Sequence, residues 1–311
     1  MSDNLNYFDI LIIGSGPAGF TAAIYGARGG FRTALLGGAA PGGQLLQTAE
    51  IENFPGFELP VNGADLMTHM LTQAKRLGAE VLQEDAVKVD FKTSPFAVTG
   101  SSAKIYTARA VIAATGAKAR WLGLASEKKY IGHGVSGCAT CDGFFYRGKE
   151  VCVVGGGDSA AEDALFLTRF ASRVYMVHRR DALRANFRLQ EKLKANPKIE
   201  IIYDSVPQEI LGDARLKSIK LKNVKTGAVR ELSLTGAFIA IGHMPETAIF
   251  EGQLKLDEAG YISTDGHTKT SLPGVFAAGD VMDRDYKQAV VAAGSGCMAA
   301  MEAGKYLENL K

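Results

Sequence analysis

Short apolar runs, each stopped by glycine, set the rhythm of the chain. Asp9-Ile-Leu-Ile-Ile13 is apolar at consecutive positions, as in a strand covered on both faces. Gly14–Gly19 follows at once. Phe20–Arg28 then predicts a helix with small residues on one face, and Arg32–Leu36 predicts the next strand. The same order returns later: strand Glu150–Val154, glycine loop Gly155–Ala160, helix Ala161–Phe170, strand Arg173–Val177. Further buried strands are predicted at Ala110–Gly116, Gly236–Gly242 and Gly274–Asp280. Two stretches, 81–110 and 200–235, alternate apolar and polar residues between turn formers, as antiparallel meanders do; Lys225-Thr-Gly227 marks one turn. Helices are expected over Gly63–Leu77, ended by Gly78, and over Gln288–Met301. Strand, glycine loop, helix and strand, twice over, predict an α/β protein.

The glycine loops carry the first chemical signal. Gly14-Ser15-Gly16-Pro17-Ala18-Gly19 spells Gly-x-Gly-x-x-Gly between a predicted strand and helix. In that setting glycines permit a tight turn and close backbone approach, and the helix N-terminus faces a pyrophosphate. The strand after this helix ends Leu35-Leu36-Gly37-Gly38, without the acid that ordinarily binds a ribose. Gly37–Gln44 reads instead as a second backbone-lined loop, so ribose contacts are expected from elsewhere, Asp280 being one source. Gly43, Gln44, Asn53, Thr115, Gly116, Gly279, Asp280, Gln288 and Ala289 complete the candidate set for the first nucleotide. Around the second loop the candidates are Gly157, Asp158, Ser159 and Ala160. The strand that follows ends in His178-Arg179-Arg180, with Arg184 beyond. Guanidinium groups grip phosphate with a two-pronged fork, so this cluster points to the 2′-phosphate of NADPH. The competing reading is a solvated basic face.

Between the two loops lies Cys138-Ala139-Thr140-Cys141-Asp142-Gly143. Two nucleotides with a dithiol between them suggest that electrons pass from one nucleotide to the other and then to sulfur. Of the four cysteines only these two are close in sequence, which argues against a disulfide scaffold. A metal knuckle would need two more ligands, and neither His133 nor Cys152 repeats the spacing, so no metal is expected. Cys152, inside a predicted strand, reads as a small buried hydrophobe, Cys297 as packing, and His69 is given no role.

Composition narrows the class. Hydrophobic residues make up 47% and charged residues 22% of 311, as in ordinary globular proteins long enough for two domains. A net charge of +2 gives no reason to expect nucleic acid as a partner. No run approaches the roughly 18 apolar residues of a membrane span, and Met1–Phe8 shows no secretory pattern. A cytoplasmic setting is expected, and there a close cysteine pair is more often catalytic than structural.

Taken together, the two glycine loops, Pro41-Gly-Gly-Gln44, Cys138–Gly143, His178-Arg-Arg180 with Arg184, Gly279-Asp280 and Gln288-Ala289 resemble the low-molecular-weight, bacterial-type thioredoxin reductases, in order along nearly the whole chain. The missing acid after Leu36 is ordinary in that family. Gly137 and the Gly242-His-Met-Pro-Glu246 turn depart from its pattern without touching a motif residue. The resemblance implies two Rossmann-like nucleotide-binding domains, each three-layer ββα, the second inserted in the first. FAD is expected on 1–117 and 246–311, NADPH on 118–245, and the dithiol within the latter. A homodimer, thioredoxin as the protein substrate, and hinges near Ala117 and Pro245 are likewise implied. From its own residues, the small-residue helix at 288–301 would turn its N-terminus to an electron-rich flavin carbonyl. By resemblance Cys141 is the sulfur nearest the flavin, Cys138 attacks the partner disulfide, and Asp142 moves the proton. A related flavin dithiol oxidase, a reductase of another small redox protein, and a flavin-binding regulator without turnover stand as alternatives.

Overall fold

The computed structural model describes residues 6–48 and 50–310. Most of the N-terminal stretch read for a secretory pattern, residues 1–5, lies outside the described residues. The chain forms two compact units, one comprising the residues up to Lys118 and from Met244 onward, the other Ala119–His243.

The first unit opens with β1 (Tyr7–Ile13), α1 (Pro17–Arg28) and β2 (Thr33–Leu36). α1 starts three residues earlier than the periodicity indicates, because Pro17 suits the first helical turn, where its missing N–H costs nothing. Next come α2 (Gly63–Arg76), β3 (Glu80–Leu82), β4 (Ala86–Asp90), β5 (Phe96–Gly100) and β6 (Ile105–Ala113). Asn62 caps α2 by accepting from the Ala64 N–H at 2.9 Å. The strands lie in the order β3-β2-β1-β6-β5-β4. β3, β2, β1 and β6 run parallel, while β5 and β4 form the expected antiparallel meander.

The chain then leaves this unit through β7 (Ala117–Ala119). The second unit follows with α3 (Glu127–Tyr130), β8 (Val135–Ser136), α4 (Ala139–Asp142), β9 (Glu150–Gly155), α5 (Asp158–Leu167), β10 (Arg173–Val177), α6 (Phe187–Ala195) and β11 (Ile199–Ile202). β12 (Ser205–Gly212), β13 (Leu216–Asn223) and β14 (Val229–Ser233) make a separate antiparallel sheet, and β15 (Gly236–Ala240) returns to the first. The parallel sheet has the order β11-β10-β9-β15-β8. α5 starts and stops three residues before the predicted helix, since Asp158 already sits in its first turn.

β16 (His243–Pro245) leads back to the first unit. There β17 (Val275–Ala277) pairs with the C-terminal half of β6, and α7 (Ala289–Asn309) closes the fold. α7 runs eight residues beyond the expected end at Met301: its sequence there, Glu-Ala-Gly-Lys-Tyr-Leu-Glu-Asn, holds no breaker strong enough to stop it.

In both units the sheet is a middle layer, and strand alternation shows it. Ile10 and Ile12 of β1 face a core built with α1, α2 and α7, whereas Leu11 and Ile13 face Val89, Phe96 and Phe250 on the other side. In β9, Val151 and Val153 pack beneath α5, and Cys152 and Val154 meet Ile219 and Leu221 of the small sheet. This is the three-layer ββα arrangement. Truncating a fully buried member such as Leu35 to Ala should cost about 2–5 kcal/mol. α7 owes its small residues to close packing on α1: a Cβ at Gly296 would collide with the Ala18 carbonyl. Among the described residues no helix is long and apolar enough to cross a membrane.

Candidate active site

In the first unit β1 delivers the chain into Gly14, whose φ of +111° is a conformation that side chains rarely adopt. A Cβ at Gly14 would collide with the Ala114 carbonyl, and one at Gly19 with the Gly14 carbonyl, so α1 starts flush against the turn. Gly16 differs. A Cβ there would meet nothing within 4 Å, and α1 begins at that point without a side-chain cap. Open space beside uncapped N–H groups is what a pyrophosphate needs.

Several of the remaining candidates of this unit are tied to that turn. Ser15 is buried; its hydroxyl donates to the Gly37 carbonyl (2.7 Å) and accepts from the Gly42 N–H (3.1 Å), which fastens the two glycine loops together. A Cβ at Gly43 would lie 3.2 Å from Cα of Gly16. The Gln44 amide donates to the Ala117 carbonyl. The Thr115 hydroxyl donates to the Glu246 carbonyl (2.7 Å), and the Gly116 carbonyl accepts from the Glu246 N–H (2.9 Å). Asn53 Nδ2 donates to Gln288 Oε1 at 3.2 Å, joining residues far apart in sequence beside the start of α7. Gly279 packs against Ala18, and its N–H donates to Ser295 Oγ at 2.8 Å. The expected strand to Asp280 ends at Ala277, and Asp280 sits in a short 3₁₀ turn. Burial pushes its carboxyl up to about 6, with Lys287 pulling the other way and Asp283 adding to the rise. A ligand hydroxyl donating to that carboxylate would offset the lost solvation.

In the second unit β9 ends at Gly155, where a Cβ would collide with the Ala240 carbonyl. Gly156 is pressed against the His178 ring, leaving no room for a side chain. His178 itself is only 6% exposed, and burial, aided by the charges of Arg184 and Arg179, holds its pKa down. Its ring lies against Gly156, while Arg179, Arg180 and Arg184 are exposed. Arg184 Nη2 is 4.0 Å from where a Cβ of Gly157 would be, so its guanidinium hangs over the N-cap of α5. Asp158 and Ser159 are exposed in the first turn of α5, and Ala160 is buried beneath it.

The dithiol belongs to this unit. Cys138 and Cys141 form a disulfide, with Cys138 as N-cap of α4. Cys138 Sγ accepts from the Cys141 N–H (3.2 Å) and lies 3.4 Å from the Thr140 hydroxyl. Ser136, which the sequence reading passed over, accepts from the Cys138 N–H at 3.0 Å and donates to its carbonyl at 3.3 Å. Burial raises the pKa of Asp142, and a hydrogen bond with Ser136 partly opposes the rise. Tyr146, packed edge-on against Phe238, is pushed up to about 12 by burial and by the Asp142 charge. Cys152 is buried, its thiol pushed up to about 12. Cys297 is half-buried near Met301.

Residues 8–296 match the family model described as pyridine nucleotide-disulphide oxidoreductase. The chain belongs to this family. The chain is 52% identical over 304 residues to a thioredoxin reductase of Rickettsia conorii, covering 96% of this chain and 98% of the relative. It is 50% identical over 312 residues to one of Streptomyces coelicolor, covering 100% and 96%. The solved thioredoxin reductase of Giardia duodenalis superposes with a TM-score of 0.93 at 44% identity, covering 97% of this chain and 99% of that one. Within the pyridine nucleotide-disulphide oxidoreductases, a redox-active Cys-x-x-Cys fits the disulfide found here between Cys138 and Cys141.

Proposed function

We propose that this protein is a thioredoxin-disulfide reductase that draws two electrons from NADPH by way of FAD. The observation that carries the reading is the Cys138–Cys141 disulfide on the unit that also bears the Gly155–Ala160 loop and the arginine cluster, in a chain whose relatives are thioredoxin reductases. FAD fits the first unit. The uncapped start of α1, the open space at Gly16, the fastened loops of Ser15, Gly37 and Gly42, and Asp280 supply a pyrophosphate cradle and a hydroxyl acceptor. NADPH fits the second, with Gly157 and Ala160 at the helix start and Arg179, Arg180 and Arg184 for the 2′-phosphate. Bound there, FAD would supply hydride acceptance from NADPH and two-electron delivery to the disulfide.

The protein's own residues do the sulfur chemistry. In the reduced pair, the Cys138 thiolate attacks the partner disulfide, forming one mixed disulfide and expelling one partner thiolate. Cys141 then attacks Cys138 Sγ, which releases the second partner thiol and restores the Cys138–Cys141 bond. The hydrogen bonds from the Cys141 N–H and the Thr140 hydroxyl stabilise the Cys138 thiolate relative to its thiol. Asp142, whose burial raises its pKa, hands a proton to a departing thiolate. Homodimeric assembly and a cytoplasmic site of action belong to the same proposal.

Trapping tests this division of labour. Cys141→Ser is expected to hold oxidised thioredoxin as a mixed disulfide seen on a non-reducing gel, and Cys138→Ser to hold little. The reverse pattern would exchange the two roles.

A further inference from the structure

The segment 180–186, which carries Arg184, has no regular structure, yet it is held in place by a dense set of bonds. The N–H groups of Arg184 (2.7 Å) and Ala185 (3.0 Å) both donate to the Gly156 carbonyl. The next residue continues the seam: the N–H of Asn186 (2.7 Å) and its Nδ2 (3.2 Å) both donate to Asp158 Oδ1. Three consecutive residues are thus stitched across Gly156–Asp158, the start of the second nucleotide loop. Asn186 is occupied on its other side as well, since its Oδ1 caps α6 through the Leu189 N–H at 3.1 Å. At the far end of the segment Lys225 pairs with Asp181 (3.0 Å) and Asp204 (3.1 Å), and the Asp204 N–H donates to the Arg180 carbonyl.

Asp158 has an unexpected place in this arrangement. A carboxylate at the first turn of α5 suits the helix dipole but opposes a bound phosphate. Its Oδ1 is aimed at the arginine-bearing segment and takes two hydrogen bonds from it. We infer that Asp158 is a positioning residue for coenzyme choice: through Asn186 it fixes the backbone that suspends the Arg184 guanidinium over Gly157, and so selects a nucleotide with a 2′-phosphate over one with a 2′-hydroxyl. The inference rests on the arginine cluster's being the 2′-phosphate site. It assigns discrimination to a residue that carries the same charge sign as the group it helps to bind.

The test is equilibrium binding of 2′,5′-ADP and of 5′-AMP to the FAD-loaded protein, followed by calorimetry at constant ionic strength. Asp158→Ala is expected to weaken 2′,5′-ADP about tenfold, the effect of losing one hydrogen bond to a charged group, and 5′-AMP less than twofold. Asp158→Asn, which keeps an acceptor for the Asn186 N–H, is expected to recover most of the loss. Asn186→Ser keeps a cap for α6 but removes the amide donor; it should shift 2′,5′-ADP in the same direction and keep the inference testable if Asp158→Ala folds poorly. Arg184→Ala should match Asp158→Ala, and the double variant should be no worse than Arg184→Ala, because both act through the same contact, that of Arg184 with the 2′-phosphate. If Arg184→Ala weakens 2′,5′-ADP but Asp158→Ala and Asn186→Ser do not, the positioning role is overturned while the phosphate site stands. Equal losses for 5′-AMP and 2′,5′-ADP in Asp158→Ala, or additive losses in the double variant, overturn it too. If Arg184→Ala and Arg179→Ala leave 2′,5′-ADP untouched, the phosphate site falls and the inference with it.

Discussion

Thr140→Val removes a hydroxyl on which the sulfur chemistry depends. Thr140 is exposed, and its hydroxyl lies 3.4 Å from Cys138 Sγ; valine keeps the shape and removes the hydroxyl. The other bond to that sulfur comes from a backbone N–H, at 3.2 Å, and survives. A net hydrogen bond is worth about 0.5–1.5 kcal/mol, and 1.36 kcal/mol corresponds to one pKa unit, so the Cys138 pKa should rise by about 0.4 to 1.1. The assay is the pH dependence of iodoacetamide alkylation of Cys138 in the reduced Cys141→Ser protein. Cys297→Ala removes the half-buried thiol from the background, and Cys152 stays silent because burial pushes its thiol up to about 12. Thr140→Ser, which retains a hydroxyl, should leave the midpoint in place. An unchanged midpoint in Thr140→Val, or a fall, would refute the claim that this hydroxyl stabilises the thiolate.

Other expectations follow from the nucleotide loops. Gly16→Ala, with open space around its Cβ and an ordinary extended backbone, should fold normally but lose FAD; Gly19→Ala, which collides with the Gly14 carbonyl, should lower the melting temperature of the apoprotein as well. Asp280, raised to about 6 by burial, must be ionised to accept a ligand hydroxyl best. FAD affinity of the apoprotein should therefore fall as pH drops through about 6, and Asp280→Asn should flatten that dependence in a fluorescence titration. Replacing Arg179 and Arg180 together should raise KM for NADPH, each lost charge-assisted contact costing about 1.5–3 kcal/mol, while NADH use changes little. Parity between NADH and NADPH in the parent protein would contradict that assignment.

Much of this was legible in the sequence because backbone requirements there leave visible marks. An apolar run that ends in glycine marked β1, β6, β9 and β15, since a strand covered on both faces cannot alternate. The helix at Gln288–Met301 was expected, but its end was missed, because helical residues simply continue to Asn309. What could not be read were contacts between residues far apart in the chain. Nothing in the order of residues brings Ser15 to Gly37 and Gly42, Asn53 to Gln288, or Asp158 to Asn186. Nor does the order of residues show that His178, which directly follows β10, is buried with its ring against Gly156 while its neighbours Arg179 and Arg180 are exposed. Ser136 escaped notice for a related reason: a serine two residues before a cysteine has no signature until the turn closes around it.

The central claim is that electrons from NADPH leave this protein as thiols on a partner, through Cys138 and Cys141. Its most direct test is stoichiometry, measured anaerobically with the FAD-loaded protein, NADPH and oxidised thioredoxin. The expected result is two new thioredoxin thiols for each NADPH consumed, falling to background in Cys138→Ser and in Cys141→Ser. NADPH consumption without thiol formation, or undiminished thiol formation in either variant, would contradict the account.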